Sequence, residues 1–326
     1  MEKASHIQRR TVGIVGAGNV GVAAAYALFN QHLASELVLL DKDAERAKGE
    51  AMDLMHGQVL AGRTTVRAAD DYADLADVQL IVISAGVGQS SPDESRLELL
   101  DRNAGIFEEI IGELDRHAPE AVLVVATNPV DVLTRIAQAK SERPPERIIG
   151  TGTLLDTARF RALLGRRYGV DPRSVHAYIL GEHGDSEVPI WSQATIGGRP
   201  LEASEVLDRP FDADAMRQLF EEARNAAYEI IQRKGHTDSA IGVVIARLAR
   251  AVLNDERSVQ PVSVPAENAY DIDADEVCLS LPCVIGRGGV EGRVLPDLSA
   301  SEADDLRVSA RALTESWTEL QESTDV

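Results

Sequence analysis

The sequence predicts an α/β chain in two parts, a doubly wound parallel sheet over residues 1–150 and an α+β domain over residues 151–326. Three observations predict it. Short apolar runs alternate with amphipathic helical stretches through the first half, and strands separated by helices pair in parallel through right-handed crossovers. A glycine-rich turn, Gly16-Ala17-Gly18-Asn19-Val20-Gly21, stands between the first apolar run and the first helical stretch. Beyond about residue 151 the alternation gives way to long helices and to strands punctuated by Gly and Pro. No internal repeat, low-complexity tract or flexible linker separates the halves.

Residues 11–16 read as a buried strand, and Val22 to Leu28 as a helix. Between them the G-x-G-x-x-G spacing has a physical meaning. Gly16 makes the tight turn, Gly18 lets backbone approach a pyrophosphate, and Gly21 lets helix pack on strand. The helix start then offers unpaired N–H groups and the positive end of its dipole to phosphate. A second apolar run, Glu36 to Leu40, ends at Asp41, 20 residues after Gly21. A carboxylate there accepts hydrogen bonds from both ribose hydroxyls and repels a 2′-phosphate, so NAD is expected rather than NADP. This is a Rossmann-type pattern. The alternative is a glycine-rich turn in a fold that has lost its nucleotide.

The alternation continues with a helix over 43–55 and a third strand over 79–84 that ends in Ala85-Gly86-Val87-Gly88. A polar loop, Gln89 to Ser95, leads to Arg96 and a helix reaching about His117. A fourth strand over 121–126 is closed by Thr127-Asn128-Pro129-Val130, a helix follows, and a short strand over 147–150 ends the half. Ligands in such sheets bind at the carboxyl ends of the strands. Asp41, Gln89, Arg96 and Asn128 lie at or just beyond those ends.

In the second half a helix over 153–168 carries Asp156 and Arg159, three apart and so on one face. A surface ion pair would matter little, but Leu154, Leu155, Phe160, Leu163 and Leu164 surround this one. Strands are expected around 174–180 and 188–196. Between them, in Gly181-Glu182-His183-Gly184-Asp185, a histidine stands between two glycines and two carboxylates. An imidazole so placed can present one ring nitrogen to a ligand while a carboxylate holds the other. A lone histidine at a turn is more often not catalytic; the cofactor turn and the arginines raise the functional reading. Helices over 212–234 and 238–252 flank Lys234-Gly235-His236-Thr237-Asp238, strand-like segments run through 257–294, and a final helix over 299–321 has Ser299 as its N-cap.

Composition narrows the partners. With 326 residues, 44% hydrophobic and 26% charged, the chain has core enough for two domains. Its formal charge of −20 disfavours nucleic acid and anionic membranes, and requires local positive charge wherever an anionic substrate binds. The acid excess with few lysines suits a salty cytoplasm, although a GC-rich genome also favours Arg over Lys. Cys278 and Cys283 read as small core residues in a reducing cell, with no metal-ligand spacing around them. No apolar leader core and no run of transmembrane length is present in the sequence, so a cytoplasmic location is expected.

Taken together, Gly16 to Gly21 with Asp41, Glu94-Ser95-Arg96-Leu97, Thr127 to Asp131, Leu155 to Arg161, Gly181 to Ser186 and Lys234 to Thr237 are specific. Over nearly its whole length the chain resembles the L-lactate dehydrogenases of the lactate/malate dehydrogenase superfamily. That resemblance implies reversible hydride transfer between NADH and pyruvate, giving (S)-lactate. It makes His183 the proton donor and acceptor, Asp156 its orienting carboxylate, and Arg159 the fork on the substrate carboxylate. Arg96 becomes the loop arginine that polarises the carbonyl, Asn128 an asparagine beside nicotinamide and substrate, and Thr237 a wall of the substrate pocket. Cofactor contacts implied are Gly16, Gly18, Asn19, Val20, Gly21, Asp41, Ala85, Gly86, Asn128 and Ile241.

Substrate choice rests on Gln89, since a lid glutamine is typical of the lactate enzymes and a lid arginine of the malate enzymes. A second carboxylate facing a neutral amide stays unpaired. The lid departs from the family pattern. It is one residue longer, Asp93 replaces a common glycine, and Ser90 is the alternative specificity position. A malate or other 2-hydroxy-acid dehydrogenase is therefore the second reading, and a catalytically silent nucleotide-binding protein the third. Arg161 and His176 match positions used by relatives that fructose 1,6-bisphosphate activates; the plain alternative is a helix arginine and a strand histidine without a ligand. The relatives are commonly homotetramers, sometimes dimers.

Overall fold

The computed structural model describes residues 10–87, 96–202, 205–272 and 277–324, with the side chains of 96–98, 323 and 324 outside that description. The expectations placed on Gln89, Ser90, Asp93 and the Arg96 side chain therefore lie outside the described residues.

The first half lays down β1 (Thr11–Val15), α1 (Asn19–Asn30), β2 (Glu36–Leu40), α2 (Ala44–His56), α3 (Gln58–Ala61), β3 (Thr65–Ala68), β4 (Leu80–Ile83), α4 (Arg96–His117), β5 (Val122–Val125), α5 (Val130–Lys140) and β6 (Ile148–Gly150). These six strands pair in parallel in the order β3-β2-β1-β4-β5-β6. Strands β1, β4 and β5 are buried at every position, as sheets covered on both faces require. The strand order reverses at the boundary between β1 and β4, which is where a crevice for a ligand opens.

One sequence expectation is corrected. The run over 79–84 is the fourth strand, because Thr65–Ala68 forms a strand on the sheet edge. That segment has a single buried residue, Val66, so it carries no apolar run to read. Its edge position needs none, since only one neighbour pairs with it.

The second half comprises α6 (Leu154–Tyr168), β7 (Val175–Leu180), β8 (Val188–Ile196), β9 (Arg199–Pro200), α7 (Ala213–Lys234), α8 (Ser239–Leu253), β10 (Ser258–Pro265), β11 (Cys278–Gly286), β12 (Gly289–Arg293) and α9 (Ala300–Thr324). Strands β10 to β12 are antiparallel and extend the first sheet beyond β6, so nine strands form one sheet. Helix α8 packs on α1 so closely that a Cβ on Gly242 would stand 2.6 Å from the Ala23 carbonyl oxygen. Strands β7 to β9 form a separate small sheet backed by α6 and α7. Its core is Phe160, Leu164, Tyr168, Val175 and Ile179, with Phe160 edge-on to Trp191 at 4.8 Å between ring centroids.

Local chemistry sets the element ends. Asp43 and Asp212 cap α2 and α7 by accepting backbone N–H groups, and Gly169 and Gly235 end α6 and α7 in the left-handed region. Ser299 and Glu302 form a reciprocal capping box at the start of α9. The two sheets are joined where β7 ends. Gly181 and Ser280 on β11 exchange backbone hydrogen bonds of 3.1 and 2.8 Å. Gly181 has φ +89 there, and a Cβ on it would meet the Ser309 hydroxyl at 2.6 Å. The chain thus leaves the small sheet pinned to the large one, two residues before His183.

Candidate active site

At the carboxyl end of β1 the glycine turn is held by sterics. Gly16 has φ +102, and a Cβ on it would lie 2.5 Å from the Ala85 backbone nitrogen. A Cβ on Gly21 would overlap the Gly16 carbonyl oxygen. Around Gly18 the opposite holds, because among the described residues no atom beyond its two chain neighbours comes within 4 Å of its Cβ position. Helix α1 begins at Asn19 and Val20 without a side-chain cap at Gly18, so among the described residues its first N–H groups are not capped by a side chain. Asp41 is drawn into this turn. Its Oδ2 accepts the Ala17 N–H at 2.6 Å and its Oδ1 accepts the Asp43 N–H at 2.9 Å. Each oxygen keeps a lone pair for a ribose hydroxyl. These residues fit a dinucleotide: an uncapped helix start, an unobstructed glycine for pyrophosphate and an anchored acid for ribose.

Further along the same sheet edge, Ala85 and Gly86 follow β4. The Thr127 hydroxyl donates to the Ala85 carbonyl at 2.7 Å, and Asn103 bonds the Val87 backbone in both directions. Asn128 stands exposed between β5 and α5, in a cis peptide with Pro129. Thr237 is half-buried in the turn joining α7 to α8, and Ile241 is half-buried in the first turn of α8.

The second cluster is built around Asp156. Helix α6 carries it into the core at 3% exposure. Its Oδ2 lies 2.5 Å from Nδ1 of His183, and its Oδ1 accepts from Arg159 Nη1 at 2.8 Å. One buried carboxylate therefore joins an imidazole to a guanidinium. The Asp156–Arg159 pair predicted from their spacing exists, and its burial removes the reading as a surface pair. The His183 side chain keeps 25% of its surface exposed, so with Nδ1 committed to Asp156 its Nε2 is the free end. The His183 backbone is fixed too: its N–H donates to Asp131 Oδ2 at 2.7 Å. Asp131 stands in the first turn of α5, directly beyond β5, and so brings His183 to the edge that carries the dinucleotide turn. Around the loop, Glu182 accepts from the Ser186 hydroxyl at 2.5 Å, and Tyr228 of α7 donates to Asp185 at 3.0 Å.

Charge follows from this packing. Burial alone would lower the pKa of His183, but the Asp156 carboxylate outweighs it, Asp131 and Glu187 add to it, and the imidazole is raised to about 9. Burial works against the Asp156 anion, yet the facing His183 and Arg159 hold it below the usual carboxylate range. Glu187 is 6% exposed, with Oε1 lacking a hydrogen-bond partner among the described residues. Burial first and the nearby Asp156 charge second push it up to about 8. Asp131 is raised to about 6, chiefly by burial.

Sequence reasoning assigned no role to Asp131 or Glu187. For Asp131 a signal existed, since an acid embedded in Val130, Val132 and Leu133 can only be buried if something holds it. Glu187 offered less, one acid among several in a polar turn. Arg161 lies half-buried on α6 and His176 stands exposed on β7. The Arg161 Nη2 is 3.5 Å from the Arg173 carbonyl oxygen, and burial lowers its pKa while the facing Tyr178 raises it. Among the described residues no group of His, Cys, Asp or Glu could hold a metal ion, and no helix is long and apolar enough to cross a membrane.

A Rossmann-type crevice at one edge of the sheet, with an acid-held imidazole at the same edge, defines an NAD-dependent oxidoreductase. Comparison with known proteins agrees. The model of the lactate/malate dehydrogenase NAD-binding domain matches residues 10–150, and that of the lactate/malate dehydrogenase alpha/beta C-terminal domain matches residues 153–324. The chain belongs to the lactate/malate dehydrogenase family. It is similar to an L-lactate dehydrogenase of Salinibacter ruber, 67% identical over 96% of this chain and 98% of that one. An L-lactate dehydrogenase of Thermus aquaticus is 48% identical over 93% and 96% of the two chains. Among solved structures, a lactate dehydrogenase enzyme from a Medee basin deep-sea metagenome library superposes with a TM-score of 0.92 at 39% identity, covering 97% of this chain and all of that one.

Proposed function

We propose that the chain is an NAD-dependent L-lactate dehydrogenase, interconverting pyruvate and (S)-lactate. The observation that carries the reading is the buried relay from Arg159 through Asp156 to His183 at the cofactor edge of the sheet. The glycine turn, Asp41 and the start of α1 hold NAD, which when bound supplies or accepts the hydride. His183, raised to about 9, is protonated at neutral pH and gives its Nε2 proton to the carbonyl oxygen of pyruvate; in the reverse direction it takes that proton back. Asp156 fixes the ring through Nδ1 and stabilises its cation. Arg159 has one guanidinium nitrogen on Asp156 and offers the remaining donors of its fork to the substrate carboxylate. Arg96, at the head of α4, polarises the carbonyl as negative charge builds on its oxygen. Asn128 and Thr237 complete the pocket.

A neutral Gln89 suits the uncharged methyl group of pyruvate rather than a second carboxylate. The test is the ratio of kcat/KM on pyruvate and on oxaloacetate with NADH. Pyruvate is preferred in the wild type, and Gln89→Arg moves the ratio toward oxaloacetate. A wild type that already prefers oxaloacetate makes the chain a malate-type enzyme instead. NADH oxidation absent with every 2-oxo acid would favour a silent nucleotide-binding protein.

The proposal extends to a cytoplasmic homotetramer serving glycolysis and fermentation, activated by fructose 1,6-bisphosphate. Exposed Tyr26 and Val243 lining one groove between α1 and α8 support a second copy packing there. Exposed His176 and an Arg161 without a carboxylate partner among the described residues support a phosphate site. A pyruvate saturation curve unmoved by millimolar fructose 1,6-bisphosphate refutes the activation.

A further inference from the structure

A second cluster of positive charge lies at the other end of the large sheet. The amino ends of β1, β2 and β3 and the carboxyl ends of α1, α3 and α8 surround a cavity of about 750 Å³. Strand β2 spans five residues, so this end is ~17 Å from the edge where Asp41 sits. Arg10, Arg63, Arg287 and His32 line the cavity, all four exposed. Among the described residues no Asp or Glu lines it. On a chain of charge −20 this is a local reversal of sign.

The arginines here differ from those elsewhere. Arg67, Arg143, Arg147, Arg224 and Arg247 each hold a carboxylate. Among the described residues the side chains of Arg10, Arg63 and Arg287 hold neither a carboxylate nor a carbonyl oxygen, and Asp255 binds only the backbone N–H of Arg287. Three helix carboxyl ends border the cavity; their dipoles favour the cations there and oppose an anion, so the guanidinium groups must carry any phosphate contact. Those ends already have backbone donors, from Leu33 to Leu28, from Gly62 to Gln58 and from Glu256 to Ala251, so the guanidinium donors stay uncommitted. His32 has φ 53, and its ring lies where a Cβ on Gly62 would come within 2.5 Å of Cε1, so the glycine makes room for the imidazole. The floor is apolar and buried: Leu33, Ala34, Val252 and Leu253.

Three guanidinium forks match the geometry of phosphate oxygens, an apolar floor suits a flat ring, and the volume is that of a small-ligand site. We propose that this cavity binds a nucleoside di- or triphosphate, with its phosphates on Arg10, Arg63 and Arg287 and its base over the apolar floor. Arg10 and Arg63 come from the first half and Arg287 from the turn between β11 and β12, so the ligand ties the two ends of the chain together.

The experiment is calorimetric titration of ATP into the enzyme at low salt, with saturating NADH to keep the dinucleotide site filled. The wild type binds one ATP per chain. An Arg63→Ala/Arg287→Ala variant binds it at least ~tenfold more weakly, since two charge-assisted contacts are lost, while its turnover of pyruvate without ATP is unchanged and so shows it folded. Arg161→Ala leaves ATP affinity as it was. Inorganic tripolyphosphate binds more weakly than ATP, because it leaves the apolar floor uncovered. No ATP binding at millimolar concentration, equal affinity in the double variant, or loss of binding in Arg161→Ala would each overturn the site. Tripolyphosphate binding as tightly as ATP would overturn the nucleoside assignment.

Discussion

Replacing Asp156 with Asn isolates the charge that keeps His183 protonated. The amide preserves shape and a partner for Nδ1 but removes the anion. Left to burial, the imidazole would titrate below its ordinary value of 6.5; the carboxylates carry it to about 9. That rise corresponds to ~3 kcal/mol in favour of the cation, at about 1.36 kcal/mol per unit. The 2.5 Å contact to Nδ1 and the burial of Asp156 assign most of it to this pair. If the variant titrates near 6.5, the protonated fraction at pH ~8 drops from roughly nine-tenths to ~3%, a loss of ~30-fold. Pyruvate reduction consumes the proton, so in the wild type kcat/KM stays level through neutrality and falls as pH rises through about 9. In the variant the fall comes some two units earlier, and lactate oxidation shows the mirror image. Stability follows the same sign. A pKa raised by folding contributes stability that is full below 6.5 and is lost as pH rises to about 9, and the variant lacks that slope. Profiles of kcat/KM against pH for pyruvate with NADH read the first effect, and melting temperatures across the same range read the second. An alkaline limb still near 9 in Asp156→Asn would show that Asp156 does not set the charge of His183.

Glu187→Gln removes a buried acid whose pKa folding raises from 4.5 to about 8, an arrangement that costs the wild type stability as pH climbs between those values. The variant's stability should therefore gain on the wild type from pH ~5 to pH ~8, by up to about a few kcal/mol, read as a rise in melting temperature, and its alkaline limb for pyruvate reduction should move down; melting curves that coincide with the wild type's at both pH values would refute this. Gly18→Ala and Gly21→Ala form a contrasting pair: the first meets no described residue beyond its chain neighbours and costs the free protein little stability as an N-cap change, while weakening NADH binding by ~tenfold or more, whereas the second collides with the Gly16 carbonyl and lowers both markedly. Fluorescence titration with NADH separates them, and tight NADH binding by Gly18→Ala would move the pyrophosphate elsewhere. Phe160→Ala empties a fully buried ring site against Trp191 and should cost about 3–5 kcal/mol in denaturant unfolding; a cost under about 1 kcal/mol would show that the small sheet can collapse around the gap.

The first sheet was legible because its strands are continuous apolar runs and its turn glycines stand at fixed offsets. Thr65 to Ala68 was not, because an edge strand with one buried residue has no periodic signal to give. Asp156 and Arg159 could be paired from a spacing of three, and His183 could be singled out from its glycines and acids. Nothing in the linear order showed that Asp131, 52 residues earlier, holds the His183 backbone, or that Glu187 is buried where the Asp156 charge acts on it. Both are contacts made by tertiary packing alone. The basic cavity was illegible for the same reason, since Arg10, Arg63 and Arg287 are far apart in the chain and come together only in the folded structure, where α8 packs on α1.

The seam between the halves has a consequence for recombination. Gly150 on β6 and Ser263 on β10 face each other so tightly that a Cβ on the glycine would come within 2.7 Å of the serine Cβ. A chimaera taking its cofactor half from one relative and its remainder from another must inherit both residues from compatible parents. Crossovers placed near residue 150 will otherwise split the large sheet where its parallel and antiparallel portions meet, and grafted halves will fail to close however well each folds by itself.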